Sequence, residues 1–104
     1  MPIATLHGRE IHVDEEGFLT DASEWDEDLA HELAARIGLE LTDRHLEVIR
    51  FARADAAGEG ETPTLRRIQN TGGFPTKELF QLFPQKPAKK LSYVAGLRKP
   101  VGCV

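Results

Sequence analysis

Apolar and polar residues alternate at a spacing of two near the start of the chain, as they do in half-buried β-strands. Ile3–Leu6 and residues 9–13 follow this pattern, and residues 7–8 form a predicted turn between them. Residues 14–17 are a second predicted turn, which leads into residues 18–19. The sequence therefore predicts a three-stranded β-meander, which is too small to be stable without other elements.

The next stretch has an apolar residue at every fourth position, the spacing of an amphipathic helix. Residues 21–23 offer N-caps and Gly38 offers a stop, so a helix is predicted between them. Its apolar stripe is formed by Trp25, Leu29, Leu33 and Ile37. We interpret Trp25 as a core anchor and not as a platform for stacking.

Two more helices are predicted on either side of a glycine-containing break. Thr42 is the predicted N-cap of a helix over residues 43–57. Thr62 followed by Pro63 is typical of an N-cap and a first helical residue, and predicts a short helix that ends near Gln69. A helix, a turn and a second helix in this order have the outline of a helix-turn-helix.

The last two helices are predicted between prolines. Thr76 is the predicted cap of a helix that is apolar on most sides, and therefore central to the core, until Pro84 stops it. Residues 87–95 form the final predicted helix, which Gly96 ends. Because the segment beyond Gly96 contains a proline and a further glycine, residues 97–104 are expected to form a mobile arm.

These elements predict one globular domain over residues 1–96, followed by the arm. The expected fold is mainly α, in the α+β class: a small orthogonal helical bundle with a helix-turn-helix outline, an N-terminal β-meander and a flexible C-terminal arm. A chain of 104 residues can build a single modest core. Neither a membrane span nor secretion is expected, since there is no apolar stretch near about 18 residues and no charged-then-apolar leader.

Charge is distributed unevenly along the chain. Residues 1–62 hold 5 basic and 16 acidic residues, a net charge of −11, whereas residues 63–104 hold 8 basic and 1 acidic residue, a net charge of +7. Two interpretations stay open: the final part contacts an acidic partner, protein or RNA, or the two halves neutralise each other on the folded surface. The candidate cations for such a contact are Arg66, Arg67, Lys89 and Lys90. Acidic surroundings argue against tight DNA binding, so we interpret Arg66 and Arg67 as solvated or fixed by the family.

The residue patterns predict no metal, no cofactor and no self-contained enzyme. His45 has no second ligand at metal-binding spacing on an apolar face, so it is expected to pack or to cap its helix. His7, His12 and His31 likewise belong to no metal pattern. The sequence also lacks a glycine-rich phosphate loop and a nucleophile–base motif.

The only cysteine is Cys103, one residue from the end. A penultimate cysteine rarely has core residues around it, so it is either an incidental exposed thiol or a reactive one. Arg98 and Lys99 favour its thiolate, whereas the adjacent terminal carboxylate opposes it, and Gly102 is small enough to let the sulfur enter a narrow cleft. A single cysteine cannot form an internal disulfide, which fits a reducing cytoplasm.

The sequence around this cysteine is distinctive, because a Gly-Leu-x-Lys-Pro run precedes it within residues 95–104. Together with residues 14–19 and Trp25, residues 39–51 and residues 79–88, this segment resembles the DsrC/TusE family of sulfur-carrier proteins. The residues assigned on this basis to presenting and activating Cys103 are Gly96, Leu97, Arg98, Lys99, Pro100 and Gly102.

The resemblance implies that Cys103 carries a persulfide, taken from a donor complex like TusBCD or DsrEFH. Family members that serve dissimilatory sulfite reductase have a second cysteine eleven residues earlier, which forms a disulfide or trisulfide with the first; here that position is Ser92. The chain therefore resembles the single-cysteine, TusE-like members. Their sulfur goes to a thiouridylase that makes 2-thiouridine at the tRNA wobble position, so tRNA would be contacted only indirectly.

Other interpretations stay open at this point. The acceptor could be a sulfite reductase, as for DsrC, or the chain could be a non-catalytic subunit of a sulfur-oxidation assembly or a helix-turn-helix regulator that binds DNA. The chain also departs from the family pattern: Leu46 replaces a usual tryptophan, residues 54–58 replace an aromatic-rich helix end, and Arg98 replaces the first proline of the arm. These departures allow a divergent member with different partners.

Overall fold

A short β-hairpin begins the fold. The computed structural model describes residues 3–6 and 8–100, so residue 7 of the predicted first turn lies outside the described residues. Strand β1 (Ile3–Leu6) pairs antiparallel with strand β2 (Arg9–His12). Ile3 lies opposite His12, and Leu6 lies opposite Arg9. The first two predicted strands are therefore confirmed.

The third predicted strand is wrong, because the chain after β2 makes only an isolated bridge between Val13 and Leu19. The side chain of Asp14 closes the intervening loop by accepting a hydrogen bond of 3.0 Å from the main-chain N–H of Phe18. A single turn of 3-10 helix then occupies Ala22–Glu24. Since this turn begins three residues after Leu19, no length remains for a third strand.

Helix α1 (Glu27–Arg36) begins later than the sequence predicts. Asp21 caps the preceding 3-10 turn, and Asp26 caps α1 by accepting a hydrogen bond from a main-chain N–H three residues on. Trp25 lies between the two caps in an extended conformation, with φ −83° and ψ 145°. Leu29 and Leu33 of the predicted stripe are buried, but Trp25 precedes the helix, and Ile37 follows it and is 36% exposed.

Helix α2 (Asp43–Glu59) is predicted correctly at its start, and Thr42 is its N-cap. His45 completes a capping box, since its Nδ1 accepts the main-chain N–H of Thr42 at 3.0 Å. Its Nε2 therefore carries the proton and donates it to the carbonyl oxygen of Leu82, 2.7 Å away. His45 is buried, and its expected role in packing and capping is confirmed.

Helix α3 (Leu65–Gly72) begins two residues later than predicted. It continues to Gly72, beyond the predicted end near Gln69. Its N-cap is Thr64, whose side chain accepts a hydrogen bond from the main-chain N–H of Arg67. Thr62 is not the cap, and its hydroxyl donates to a main-chain carbonyl described below. Pro63 consequently precedes the helix and is not its first residue.

Helix α4 (Thr76–Leu82) contains Thr76 as its first residue, so this threonine is not a cap. Leu79 and Phe83 are fully buried, whereas 43% of Phe80 is exposed. The expectation that α4 is buried on most sides is therefore wrong, and the helix contributes one face to the core.

Helix α5 (Pro87–Val94) is predicted correctly, and it packs against α1, α2 and α4. The fold is mainly helical with a small amino-terminal β element, which confirms the predicted fold class. The largest fully buried side chains include Ile11, Leu19, Leu29, Leu33, Ile49, Ile68, Leu79, Phe83 and Leu91.

Candidate functional site

The chain leaves α5 through a Schellman motif. Gly96 adopts the left-handed conformation, with φ +69°, which confirms it as the helix stop. Its N–H donates to the carbonyl oxygen of Tyr93 at 3.4 Å, and the N–H of Leu97 donates to that of Ser92 at 3.0 Å. We call residues 94–100 the carboxyl-terminal junction, since they connect α5 to the segment that carries Cys103.

Trp25 lies directly against this junction. Its indole Nε1 donates a hydrogen bond of 2.8 Å to the carbonyl oxygen of Val94. A Cβ atom on Gly96 would lie only 2.5 Å from Cδ1 of Trp25. Glycine at position 96 is thus required twice, once by its positive φ and once by the closeness of the indole ring.

Arg53 of α2 connects the junction to the turn before α1. Its guanidinium donates to the carbonyl oxygen of Ala95 at 2.9 Å and to that of Ala22 at 3.0 Å. The same group lies over the ring of Trp25, with Cζ 4.2 Å from the ring centroid. Burial lowers the pKa of the Arg53 guanidinium from its ordinary value, although the group stays charged at neutral pH.

The junction packs on the domain beyond residue 96. Leu97 is only 6% exposed and belongs to the core, and Pro100 is also buried. The hydroxyl of Thr62 donates to the carbonyl oxygen of Arg98 at 2.9 Å. The predicted boundary between the domain and the arm therefore needs correction, because the packed part of the chain extends at least to residue 100.

Two cations of the junction contact the amino-terminal part of the chain. The guanidinium of Arg98 donates to the carbonyl oxygen of Thr20 at 3.4 Å. Lys99 Nζ is 2.6 Å from a carboxylate oxygen of Glu16, and Lys89 Nζ is 3.6 Å from the other oxygen. The hydrogen bond from Lys99 holds the pKa of the Glu16 carboxyl below its ordinary value of 4.5. Part of the positive charge near the arm is therefore compensated within the domain.

A groove runs beside the junction and has a volume of about 520 Å³. One wall consists of residues 96–100, and the opposite wall comes from the end of α2 and from the segment that leads to α3. The residues of these other walls include Leu19, Ala56, Gly60, Glu61, Thr62 and Thr64. The groove is thus located where the described part of the chain ends, next to Pro100.

The cysteine itself and Gly102 lie outside the described residues. Their predicted roles, and the roles of Arg98 and Lys99 in activating the thiol, stay predictions. Ser92 is described: it is buried, and its hydroxyl donates to the carbonyl oxygen of Ala88 at 2.8 Å. Its main-chain carbonyl belongs to the Schellman motif, so this residue supports the beginning of the arm.

The other predicted cations lie on two different helices. On α3, Arg66 is exposed, whereas Arg67 forms ion pairs with Asp55 at 2.7 Å and with Glu59 at 3.7 Å. On α5, Lys89 pairs with Glu16, and Lys90 is half-buried. These pairs join the basic part of the sequence to the acidic part. They favour the interpretation that the two halves neutralise each other at least partly.

Fold and site together define a small helical domain that anchors a cysteine-bearing carboxyl-terminal segment. Residues 5–104 match the model of the family described as DsrC like protein. The chain belongs to this family, and the predicted membership in the DsrC/TusE group is confirmed. No helix among the described residues is long and apolar enough to cross a membrane.

Named relatives and solved structures agree on this family. The protein named Sulfurtransferase TusE of Salmonella typhimurium (strain LT2) is 37% identical over 108 residues, which cover 95% of this chain and 97% of that protein. The protein of the same name from Escherichia coli (strain K12) is 36% identical, with the same coverage. These relatives support a sulfur-carrier role for the chain.

The solved structures that resemble this chain include DsrC proteins. Allochromatium vinosum DsrC superposes with a TM-score of 0.81 at 34% identity, and the match covers 98% of this chain and 97% of that chain. The oxidized gamma-subunit of the dissimilatory sulfite reductase (DsrC) from Archaeoglobus fulgidus has a TM-score of 0.76 at 35% identity, covering 99% of this chain and 100% of that one.

Sequence reasoning missed four residues that hold the junction: Glu16, Thr62 and, above all, Trp25 and Arg53. Trp25 was expected in the core, but its hydrogen bond to Val94 spans 69 positions of sequence. The bond between Arg53 and Ala95 spans 42 positions. No local pattern could reveal these contacts, because periodicity and caps report only on neighbours along the chain.

Proposed function

We propose that this protein is a single-cysteine sulfur carrier that accepts a persulfide sulfur on Cys103 and delivers it to a partner protein. The observation that carries the proposal is the anchoring of the chain at residues 97–100. Cys103 follows Pro100 by three residues, so covalent geometry limits its Cα to about 11 Å from that of Pro100. The thiol thus stays attached to a fixed point on the domain while remaining within reach of a partner.

The transfer step needs no oxidant or reductant beyond the donor. The thiolate of Cys103 attacks the outer sulfur of a donor persulfide, and a new S–S bond forms as the donor's own S–S bond breaks. The donor cysteine leaves as a thiolate, and Cys103 becomes a persulfide. The total charge of the two proteins is unchanged. Delivery to an acceptor repeats the exchange in the other direction. A cysteine in this role must be kept reduced, which favours the cytoplasm.

The pathway that fits best is the TusE-like one. Its donor would be a complex like TusBCD or DsrEFH, and its acceptor a tRNA thiouridylase, with tRNA contacted only through that acceptor. Ser92 supports this choice, since a buried serine hydroxyl cannot form the disulfide that the two-cysteine, sulfite-reductase-associated members form with the arm. The relatives named TusE support it as well.

Intact-mass spectrometry tests the proposal directly. The protein is incubated with a TusBCD- or DsrEFH-like donor complex that carries a persulfide on its own cysteine. We expect a gain of about 32 Da, one sulfur atom, which a thiol reductant removes. Cys103→Ser is the matched control and should gain nothing. A wild-type protein that gains no sulfur from a competent donor would refute the carrier function.

A second measurement separates the two pathways. Persulfide-loaded protein is mixed with a tRNA thiouridylase, or with a dissimilatory sulfite reductase, and the loss of its extra mass is followed over time. We expect the thiouridylase to remove the sulfur faster. Faster removal by the sulfite reductase would leave the carrier function intact but contradict the TusE-like assignment.

A further inference from the structure

The last turn of α5 needs hydrogen-bond partners from outside the helix. The Schellman motif satisfies the carbonyls that precede Val94, but the carbonyls of Val94 and Ala95 have no partner within the helix. Trp25 donates to the carbonyl of Val94 at 2.8 Å, and Arg53 donates to the carbonyl of Ala95 at 2.9 Å. The beginning of the arm is therefore fixed by two side chains from other elements.

Of these two side chains, Arg53 also contacts the other. Its guanidinium donates to the carbonyl of Ala22 at 3.0 Å, and its Cζ lies over the ring of Trp25, 4.2 Å from the centroid. Only a planar, forked cation can donate to two carbonyls and stack on an indole at the same time. Lysine could keep the charge, but it could not keep all three contacts.

We propose that Arg53 is a positioning residue for sulfur transfer. By holding Trp25 against Gly96 and by fixing the carbonyl of Ala95, it sets the direction in which the chain leaves α5, and hence the volume that Cys103 can reach. The proposal assigns Arg53 no part in activating the thiol. The inference rests on the proposed function, since this direction matters only when a partner protein must receive the sulfur.

The size of the effect follows from chain statistics. Cys103 lies three positions after the anchor at Pro100 and eight positions after Ala95, and the longer span applies only if the contacts of residues 97–100 are lost together with the bond from Arg53. The r.m.s. span of an unconstrained chain grows with the square root of its length, so complete release would widen the distribution of Cys103 positions by up to about 1.6-fold.

The chain contains the means to measure this width, because it has one tryptophan and one cysteine. Cys103 is labelled with an aminonaphthalene sulfonate acceptor, and the distance distribution to Trp25 is obtained from time-resolved energy transfer. The test variant is Arg53→Lys. The matched control is Arg50→Lys, one turn earlier on α2, where the exposed arginine pairs with Glu27 at 2.7 Å. Unlabelled samples of each variant correct for changes in the tryptophan lifetime.

We expect Arg53→Lys to widen the distribution and Arg50→Lys to leave it unchanged. An unchanged width in Arg53→Lys, or equal widening in both variants, would overturn the inference. Circular dichroism at the same temperature verifies that each variant is folded. Arg53→Gln, which retains an N–H donor but no charge over the indole, is a second test variant and should also widen the distribution.

Two rates connect this width to the reaction. Sulfur transfer from the persulfide-loaded donor complex should slow by up to about four-fold in Arg53→Lys, because a distribution that is about 1.6-fold wider lowers the local concentration of Cys103 by the cube of that factor. Alkylation of Cys103 by iodoacetamide should keep its rate. A widened distribution with an unchanged transfer rate would show that Arg53 has no role in transfer. If wild-type protein accepts no sulfur at all, the proposed function fails, while the width still decides whether Arg53 positions the arm.

Discussion

The carboxyl-terminal junction and helix α3 both use arginine, but in opposite ways. At the junction, Arg53 is partly buried and donates to the main-chain carbonyls of Ala95 and Ala22. On α3, Arg67 pairs with the carboxylate of Asp55, and Arg66 is exposed to solvent. Main-chain acceptors are fixed in position, so the first arrangement determines the path of the chain. The second arrangement mainly balances charge.

This difference bears on which surface carries the function. A helix that reads DNA needs basic side chains that are available for phosphates and bases. Arg67 is already engaged with two acidic residues of α2, so the α3 surface offers less positive charge than the sequence suggests. The junction, by contrast, concentrates its bonds at the base of the segment that bears the cysteine. The geometry thus favours a carrier over a regulator.

The largest expected effect comes from deleting the junction together with the arm. Removal of residues 97–104 should destabilise the protein by about 3–6 kcal/mol, because it removes buried Leu97 and its hydrogen bond to Ser92. A mobile arm that began at residue 97, as the sequence predicts, would leave stability almost unchanged. Urea unfolding followed by circular dichroism measures the difference.

Removal of residues 101–104 only is the matched control. This shorter deletion retains Leu97 and Pro100, and we expect it to change stability by less than about 0.5 kcal/mol. Both deletions should abolish sulfur transfer, since both remove Cys103. Equal stability of the two truncated proteins would show that the packing of residues 97–100 contributes little to the fold.

A smaller loss is expected from a methyl group at position 96. Gly96→Ala should lower the free energy of unfolding for two reasons. Alanine in a left-handed conformation costs about 1–2 kcal/mol, and the collision of its Cβ with Trp25 costs about 1–3 kcal/mol. Gly38→Ala is the control: Gly38 has the same φ of +69°, but a Cβ there would meet nothing within 4 Å. Denaturant unfolding should show the larger loss for Gly96→Ala, and equal losses would mean that Trp25 moves aside without cost.

On α3 the expected effect is smaller again. Arg67→Ala should destabilise the protein, because it leaves the carboxylate of Asp55, only 7% exposed, without its cation. Arg66→Ala should change stability by less than about 0.5 kcal/mol. The cost of Arg67→Ala should shrink in high salt. A substantial loss on Arg66→Ala would give that residue a structural role that its exposure does not suggest.

The smallest expected effect is a titration. Since the folded-state pKa of Glu16 is lowered, its contribution to stability is present above pH 4.5 and is lost as the pH falls through the lowered value. Carboxyl-detected NMR should show this pKa rising toward 4.5 in Lys99→Met, because the hydrogen bond from Lys99 is the main cause of the shift. Lys89→Met should raise it less, and the opposite order would mean that Lys89 is the dominant partner.

Local sequence signals determined the elements whose ends depend on neighbouring residues. Thr42 and His45 form the cap of α2 within a span of four residues, and the hydrogen bonds that end α5 at Gly96 span at most five positions. The motif around Cys103 likewise identified the family, because it is contiguous in sequence. Such features follow from short-range hydrogen bonding and backbone conformation, which the local sequence controls.

Only the tertiary structure decided between equivalent local signals. Thr62 and Thr64 can both cap a helix; in the structure Thr64 is the cap, and the hydroxyl of Thr62 donates to the carbonyl of Arg98, 36 positions away. Trp25 ends the 3-10 turn in an extended conformation, from which its indole reaches Val94. The anchoring of the arm was hidden for the same reason: its contacts join residues that are far apart in sequence, and their free energy is gained only when the helices pack.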